Sequence, residues 1–236
     1  MQSPDRLLSK RKTSVYPALR EMCLDYMFWP RQQLHIEELA GVFSSSATPV
    51  REALARLAGE GLIEAVPNRG YVAKALSEDE MRGNLDLLFT LLKESITRSR
   101  PEKWKSKMDG CPSELSDDGE ATFSLVNDTF TLIARLSVNE VLFEHILRLL
   151  ELTRFVRRLD LEDPNTIAMT RDSILGLWHS LAAGDGCSAL QTLHEQNRDV
   201  QQRLAHVVKE GQARSMSQKR SFPLVRSVPT QRISTV

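Results

Sequence analysis

The sequence predicts a mainly α chain: three short helices and a β-hairpin at the N-terminus, followed by an all-α helical bundle. Three observations predict it. Apolar residues recur at +3, +4 and +7 along most of the chain. That spacing gives way once, at 62–75, to two short strand-like runs around Pro67-Asn68-Arg69-Gly70. Beyond Leu76 the helical spacing returns and is broken only by clusters of Gly, Pro, Asp and Ser.

Residues 1–12 are expected to be disordered. Thr13 or Ser14 caps a first helix reaching to about Met27, with Pro17 tolerated in its first turn. Val15, Leu19, Met22 and Tyr26 form its apolar stripe, and Trp29-Pro30 ends it. A second helix carries Ile36, Leu39, Ala40 and Phe43. Ser44-Ser45-Ser46 breaks the pattern. Thr48-Pro49 then opens a third helix with Val50, Leu54 and Leu57 on one face, closed by Gly59 and Gly61. Residues 62–66 and 71–75 flank the Pro67–Gly70 turn as a hairpin.

Ser77 and Glu80 form a capping box for the next helix, whose stripe is Met81, Leu85, Leu88, Leu92 and Ile96. Pro101 interrupts it, and Asp109-Gly110-Cys111-Pro112 with Ser116-Asp117-Asp118-Gly119 reads as a loop. Further helices are expected at about 120–136, 139–160, 166–183 and 186–210. Asp163-Pro164-Asn165 and Gly184-Asp185-Gly186 separate the last three. The final helix shows Leu190, Leu193, Val200, Leu204 and Val207, a heptad-like stripe interrupted at Asn197. The basic segment from 211, with Pro223, Pro229 and many serines, is expected to be disordered. The domains are thus a disordered 1–12, a unit of three helices and a hairpin at 13–76, a helical domain at 77–210 and a tail at 211–236.

The 236 residues suffice for one large core or two modest ones, and 41% hydrophobic with 26% charged residues is ordinary for a globular protein. No apolar run reaches the roughly 18–20 residues of a membrane span, and the N-terminus lacks the apolar core of a secretory signal. Cys23, Cys111 and Cys187 are odd in number, widely spaced and without a zinc pattern. They read as buried structural thiols in a reducing cytoplasm. Net charge is zero but unevenly spread. Residues 1–76 hold 10 Lys and Arg against 8 Asp and Glu; residues 77–210 hold 16 against 23; residues 211–236 hold 5 against none. An acidic middle repels phosphate, so contact with DNA is expected from the N-terminal part.

Helix, turn, helix and hairpin together form an apparatus for reading duplex DNA. The helix after the turn lies in the major groove, and the hairpin tip reaches the adjacent groove. Ser46 and Thr48 offer hydroxyls to phosphate oxygens, as do the backbone N–H groups of the first turn. Arg51, opposite the Val50/Leu54/Leu57 stripe, suits bidentate pairing with guanine. Arg69, between Asn68 and Gly70 at the hairpin tip, suits a narrow minor groove. In isolation, Thr48-Pro49 could equally cap a core helix and leave Arg51 solvated; the attached hairpin weighs against that. The segment SSATPVREALARLAGEGLIEAVPNRGYVAKALSEDE resembles the signature of GntR-family bacterial regulators. Their motif is close to S-R-T-P-V-R-E-A-L-x-x-L-x-x-x-G-L followed by a P-x-R-G-x-x-V wing. The resemblance implies a winged helix-turn-helix. It departs at Ala47, where the family usually has Arg, which puts the usual operator preference in question.

The helical region is similar to the ligand-binding FCD domain of the FadR-type branch. The matching residues are Asn127-x-x-Phe130-Thr131, Ser137-Val138-Asn139 and Leu181-Ala182-Ala183-Gly184-Asp185 with Ala189. Such domains commonly dimerise, bind small organic acids and hold a divalent metal with one Asp and three His. The corresponding positions here are Asn127, Thr131, Ile174 and Gln196, which make no transition-metal site. Asp128, His179 and His194 are out of register. An Arg often found in the first effector helix is Thr90 here. The resemblance therefore implies no metal and no cofactor. It implies a pocket at Thr90, Asn127, Thr131 and Gln196 for a neutral small-molecule effector, or for none. Trp178 reads as core.

No phosphate loop, nucleophile elbow or H-E-x-x-H is present, so no enzyme activity and no catalytic residue are expected. The expected function is a sequence-specific regulator that binds an inverted-repeat operator as a homodimer. The dimer is expected through the apolar stripes on the helices beginning near Ser77 and Gly186, with no membrane partner. The alternatives are an effector-independent regulator and a protein-interaction module using the acidic helical domain.

Overall fold

The computed structural model describes residues 14–105 and 118–217, which divide into two units. One comprises the described residues of Met1–Ala75 and Ala213–Val236; the other is Leu76–Gln212. The expected disordered segment 1–12, Cys111 and the tail beyond Ser217 lie outside the described residues.

The first unit contains α1 (Val15–Leu24), β1 (Gln33–Leu34), α2 (Ile36–Val42), α3 (Ala47–Gly59), β2 (Ile63–Val66) and β3 (Gly70–Ala73). The expected stripes meet in one core, where Leu19, Met22, Leu39, Val50, Leu54 and Leu57 are joined by Phe28, Leu34 and Ile63. The three strands form an antiparallel sheet in the order β1-β3-β2, with Val66 opposite Gly70 across the hairpin. Two-residue β1 was not expected, because a strand that short shows no alternation to read.

All three helices end in the same way. A residue with positive φ follows the last turn, at Tyr26 (49°), Ser44 (47°) and Gly61 (73°). The next N–H reaches back to an orphan carbonyl: Met27 to Met22, Ser45 to Ala40 and Leu62 to Leu57. Only the third uses glycine. This explains why α1 stops at Leu24 rather than near Met27.

The second unit contains α4 (Glu78–Arg98), α5 (Pro101–Lys105), α6 (Gly119–Ala134), a 3-10 turn (Arg135–Ser137), α7 (Glu140–Leu152), α8 (Arg154–Asp160), α9 (Pro164–Ala183) and α10 (Gly186–Ser217). Side-chain N-caps start five of them, Asp185 accepting from Ser188 N at the head of α10. Ser77 accepts from Glu80 N, Asp118 from Ala121 N, Asn139 from Leu142 N and Asp163 from Thr166 N. The helix expected at 139–160 is broken at Thr153, which caps α7 and precedes α8. Helix α10 runs on to Ser217, through the start of the segment expected as a disordered tail; Gly211 sits inside it, buried. Its last residues, from Ala213, group with the first unit, and Ser215 Oγ donates to Tyr26 O there.

Met81, Leu85, Leu88, Leu92 and Ile96 of α4 are all buried, as are Leu193, Leu204 and Val207 of α10. These were the stripes expected to form a dimer interface. Leu88, Leu92, Ile96 and Leu193 are used inside their own unit, in one core with Phe89 and Phe130, edge-to-face at 5.7 Å, and with Ile133, Ile146, Ile174 and Leu177, while Leu190 and Val200 of the α10 stripe are half-buried. Among the described residues of this unit, the large apolar side chains left exposed are Leu87, Val138, Val141 and Met169. No described helix is long and apolar enough to cross a membrane.

Trp178 is core, and its indole N–H is satisfied within it. Nε1 donates to Thr129 Oγ1 at 2.8 Å, and that hydroxyl donates to Leu125 O at 2.7 Å. Thr129→Val preserves volume but leaves the buried indole N–H without an acceptor. The expected cost is about 1–3 kcal/mol of stability, read by chemical denaturation with unchanged slope.

Candidate nucleic-acid interface and the interior of the helical domain

The turn between α2 and α3 depends on Ser44, whose positive φ redirects the chain so that Ser46 enters α3 in an extended conformation. Ser46 makes no side-chain capping bond to the helix. Val50, Leu54 and Leu57 have no accessible surface, and that burial sets the rotation of α3 about its axis. Ser46, Thr48 and Arg51 are consequently exposed on the opposite side, next to the N–H groups that begin the helix.

The two arginines of α3 have different fates. Arg56 lies 3.8 Å over the Tyr16 ring, and its Nε donates to Glu60 at 3.0 Å. Tyr16 also donates to Glu60, at 2.6 Å, and Arg20 pairs with the same carboxylate at 3.5 Å. Desolvation raises the Glu60 carboxyl, but the bonds from Tyr16 and Arg56 and the charges of Arg20 and Arg56 hold it below its usual range. Arg56 is therefore spent joining α3 to α1. Arg51 has no ion-pair or hydrogen-bond partner among the described residues.

At the hairpin tip, Arg69 N bonds to Val66 O at 3.0 Å, with Pro67 and Asn68 as the two central residues. Asn68 has φ of 60°, the requirement for the third position of a type II turn. Gly70 has φ of 78°. Both were expected at a DNA surface and both are exposed, but the part their geometry gives them is conformational, since together they aim Arg69. Gln33 Nε2 of β1 donates to Arg69 O at 2.7 Å and pins the tip. That contact was invisible in the sequence, where β1 itself shows no signal.

Residues 11–72 match the model for bacterial regulatory proteins of the gntR family. The N-terminal unit therefore carries a DNA-binding domain of the gntR type. Among curated relatives, the Nta operon transcriptional regulator of Aminobacter aminovorans is 28% identical over 147 residues, 59% of this chain and 70% of the relative. An uncharacterised HTH-type regulator of Agrobacterium vitis is 37% identical over 67 residues, 28% of this chain and 39% of that protein. Two solved structures share the fold. One is Lar, which controls the expression of the Listeria monocytogenes agr system, with a TM-score of 0.59 and 17% identity, covering 84% of this chain and 98% of that one. The other is a GntR regulator of Rhodococcus sp. RHA1, with a TM-score of 0.60 and 18% identity, covering 83% and 98%.

In the helical unit the positions expected to form a pocket fare differently. Thr90 is exposed. It lies two residues from both Leu88 and Leu92, about 200° around α4 from the face that is buried, so it lines no interior of its own chain. Ile174 is sealed in the apolar core. Thr131 is half-buried. Gln196 is buried and its Oε1 has no hydrogen-bond partner. His179 and His194 are exposed, and among the described residues no three His, Cys, Asp or Glu come together as a metal site. Cys187 is exposed on the first turn of α10, against the expectation of a buried thiol, whereas burial pushes the Cys23 thiol up to about 12.

Half-buried Asn127 accepts a hydrogen bond from Arg157 Nη2 at 2.8 Å. Sequence reasoning missed Arg157, because Arg157-Arg158 reads as an ordinary charged pair. A signal was available: Arg157 falls four residues after Thr153 and seven after Leu150, on the buried stripe of this helical segment. Its side chain is 8% exposed.

With Arg51 exposed and unengaged and Arg56 held internally, Arg51→Ala should cost about 1–3 kcal/mol of operator affinity and relax base preference. Arg69→Ala should weaken binding and flatten its salt dependence. Both are read by fluorescence anisotropy at fixed salt, and unchanged affinity in both variants would remove the reading head from these positions.

Proposed function

We propose that the chain binds an inverted-repeat operator as a homodimer, with α3 in the major groove and the Arg69 tip in the neighbouring groove. The observation that carries this reading is Arg51: an exposed guanidinium without a partner among the described residues, on a helix whose opposite face is fully buried. Ser46, Thr48 and the first-turn N–H groups engage phosphate, and Arg51 pairs with guanine. Asn68 and Gly70 shape the tip that delivers Arg69. Ala47 supplies no long side chain, so the operator differs from those read by relatives with Arg at this point.

The helical domain serves in this reading as an FCD-type effector domain, boundaries 77–210 with α10 continuing beyond, and works without a metal. Asn127, Thr131 and Gln196 occupy the positions where metal-holding relatives place ligands. Dimerisation is argued from selectivity, since one recognition helix contacts too few base pairs; Leu87, exposed on α4, is available to an interface. The protein acts where the chromosome lies, in a bacterial cytoplasm, as a regulator and not as a catalyst.

Selection from randomised duplexes should enrich two half-sites related by a two-fold axis, and light scattering at micromolar concentration should return twice the chain mass. A monomer both with and without the selected duplex would overturn the dimer. Untagged protein should carry no stoichiometric zinc, nickel or manganese, and added metal should not raise its melting temperature, since a ligand of the folded state must stabilise it.

A further inference from the structure

Across residues 47–54, the first two turns of α3, only Arg51 and Glu52 carry long polar side chains. Glu52 is exposed, and like Arg51 it has no hydrogen-bond or ion-pair partner among the described residues. The cation best spaced to neutralise it is Arg56, one turn further along the helix. Arg56 is engaged elsewhere, over the Tyr16 ring at 3.8 Å and on Glu60 at 3.0 Å. The Glu52 carboxylate therefore stands uncompensated on α3.

Its direction follows from the same burial that aims Arg51. At about 100° per residue, Thr48, Glu52 and Ala55 fall within about 60° of one another, on the side away from buried Val50, Ala53, Leu54 and Leu57. Arg51 flanks them, about 40° from Ala55. Thr48 and Ala55 are short, so no side chain in the middle of this face reaches further than Glu52. With α3 in a major groove, the middle of that face is what meets the base edges.

A carboxylate brought between two rows of phosphate is repelled by both, and it can only accept hydrogen bonds. Guanine presents N7 and O6 in the major groove and thymine presents O4, all of them acceptors. Adenine sets its N6 amino group beside the acceptor N7. Cytosine offers its N4 amino group with no acceptor next to it on the same base. Of the four bases, cytosine suits a carboxylate best.

We propose that Glu52 is a specificity-determining residue of α3, accepting a hydrogen bond from the N4 amino group of a cytosine in each operator half-site, while Arg51 reads a guanine at another base pair. The same charge weakens binding to duplexes that lack this cytosine, so repulsion contributes to selection alongside attraction. This rests on the proposed placement of α3 in the major groove.

The test uses the full chain in selections from randomised duplexes, followed by fluorescence anisotropy at fixed salt on duplexes altered at single base pairs. The wild type should enrich a half-site with a preferred cytosine. Changing that cytosine to thymine, which puts O4 in place of N4, should weaken binding about fivefold or more. Glu52→Gln should move the preference at this position from cytosine to adenine, whose N6 and N7 suit an amide. Glu52→Ala should bind the cytosine and thymine duplexes within about twofold of each other, and an unrelated duplex more tightly than the wild type does. Arg51→Ala should lose preference at a different base pair and keep this one. Because Glu52 is exposed, neither substitution disturbs the core around Leu54 and Leu57.

Identical base preferences in the wild type and both Glu52 variants would overturn the inference, even where Glu52→Ala binds every duplex more tightly, since the carboxylate then only repels phosphate. Loss of the same base pair in the Glu52 and Arg51 variants would overturn it as well, because Glu52 would then act by orienting Arg51. A wild type that enriches no half-site defeats the proposed function itself, whereas a half-site read alike with and without Glu52 defeats this inference alone.

Discussion

Burial of Val50, Leu54 and Leu57 is the constraint on which the DNA-binding unit depends. A helix has one rotational degree of freedom about its axis, and burying one face removes it. Once those three side chains are packed against Leu19, Leu39 and Leu34, the direction in which Ser46, Thr48 and Arg51 point is decided. The contacts around Tyr16 and Glu60 add a second lock, because they hold the C-terminal end of α3 against α1 and withdraw Arg56 from the surface. An anchored helix with an unengaged guanidinium suits base reading, since little side-chain packing has to be rearranged before contact.

The helical domain shows the opposite economy. Its α4 stripe is buried, and a buried arginine is left with neutral partners. Asn127, Thr131, Ile174 and Gln196, the positions where the resemblance looks for metal ligands, carry no charge, but the interior does not become neutral. Arg157 brings in a positive charge from α8. That charge is one that a position-by-position reading of the expected ligand positions could not reveal.

Much of the architecture was legible because it is written in local patterns. The stripe of α4, the caps at Ser77 and Asp163, and the Pro67–Gly70 turn each depend on residues a few positions apart. The departures share a cause. Periodicity carries α1 too far because Tyr26 performs a chain reversal usually given to glycine. Strand β1 escapes notice because two residues carry no period, and α10 ends too early because basic composition outweighs its helical spacing. Thr90 enters the expected pocket by analogy with a family position, while its place on α4, opposite the buried stripe, already puts it outside.

By itself the sequence determined the order and type of most elements and the segment that matches the gntR family model. These follow from periodicity, capping and residue type, all of which are local. Only the tertiary structure decided which arginine of α3 lacks a partner among the described residues, that Gln33 pins the wing, that the α4 stripe is buried, and that Arg157 is a buried charge with no anion among the described residues. Each of those depends on residues distant in sequence brought to within a few ångströms, and whether a charge is paired or a face is covered is a property of that proximity alone.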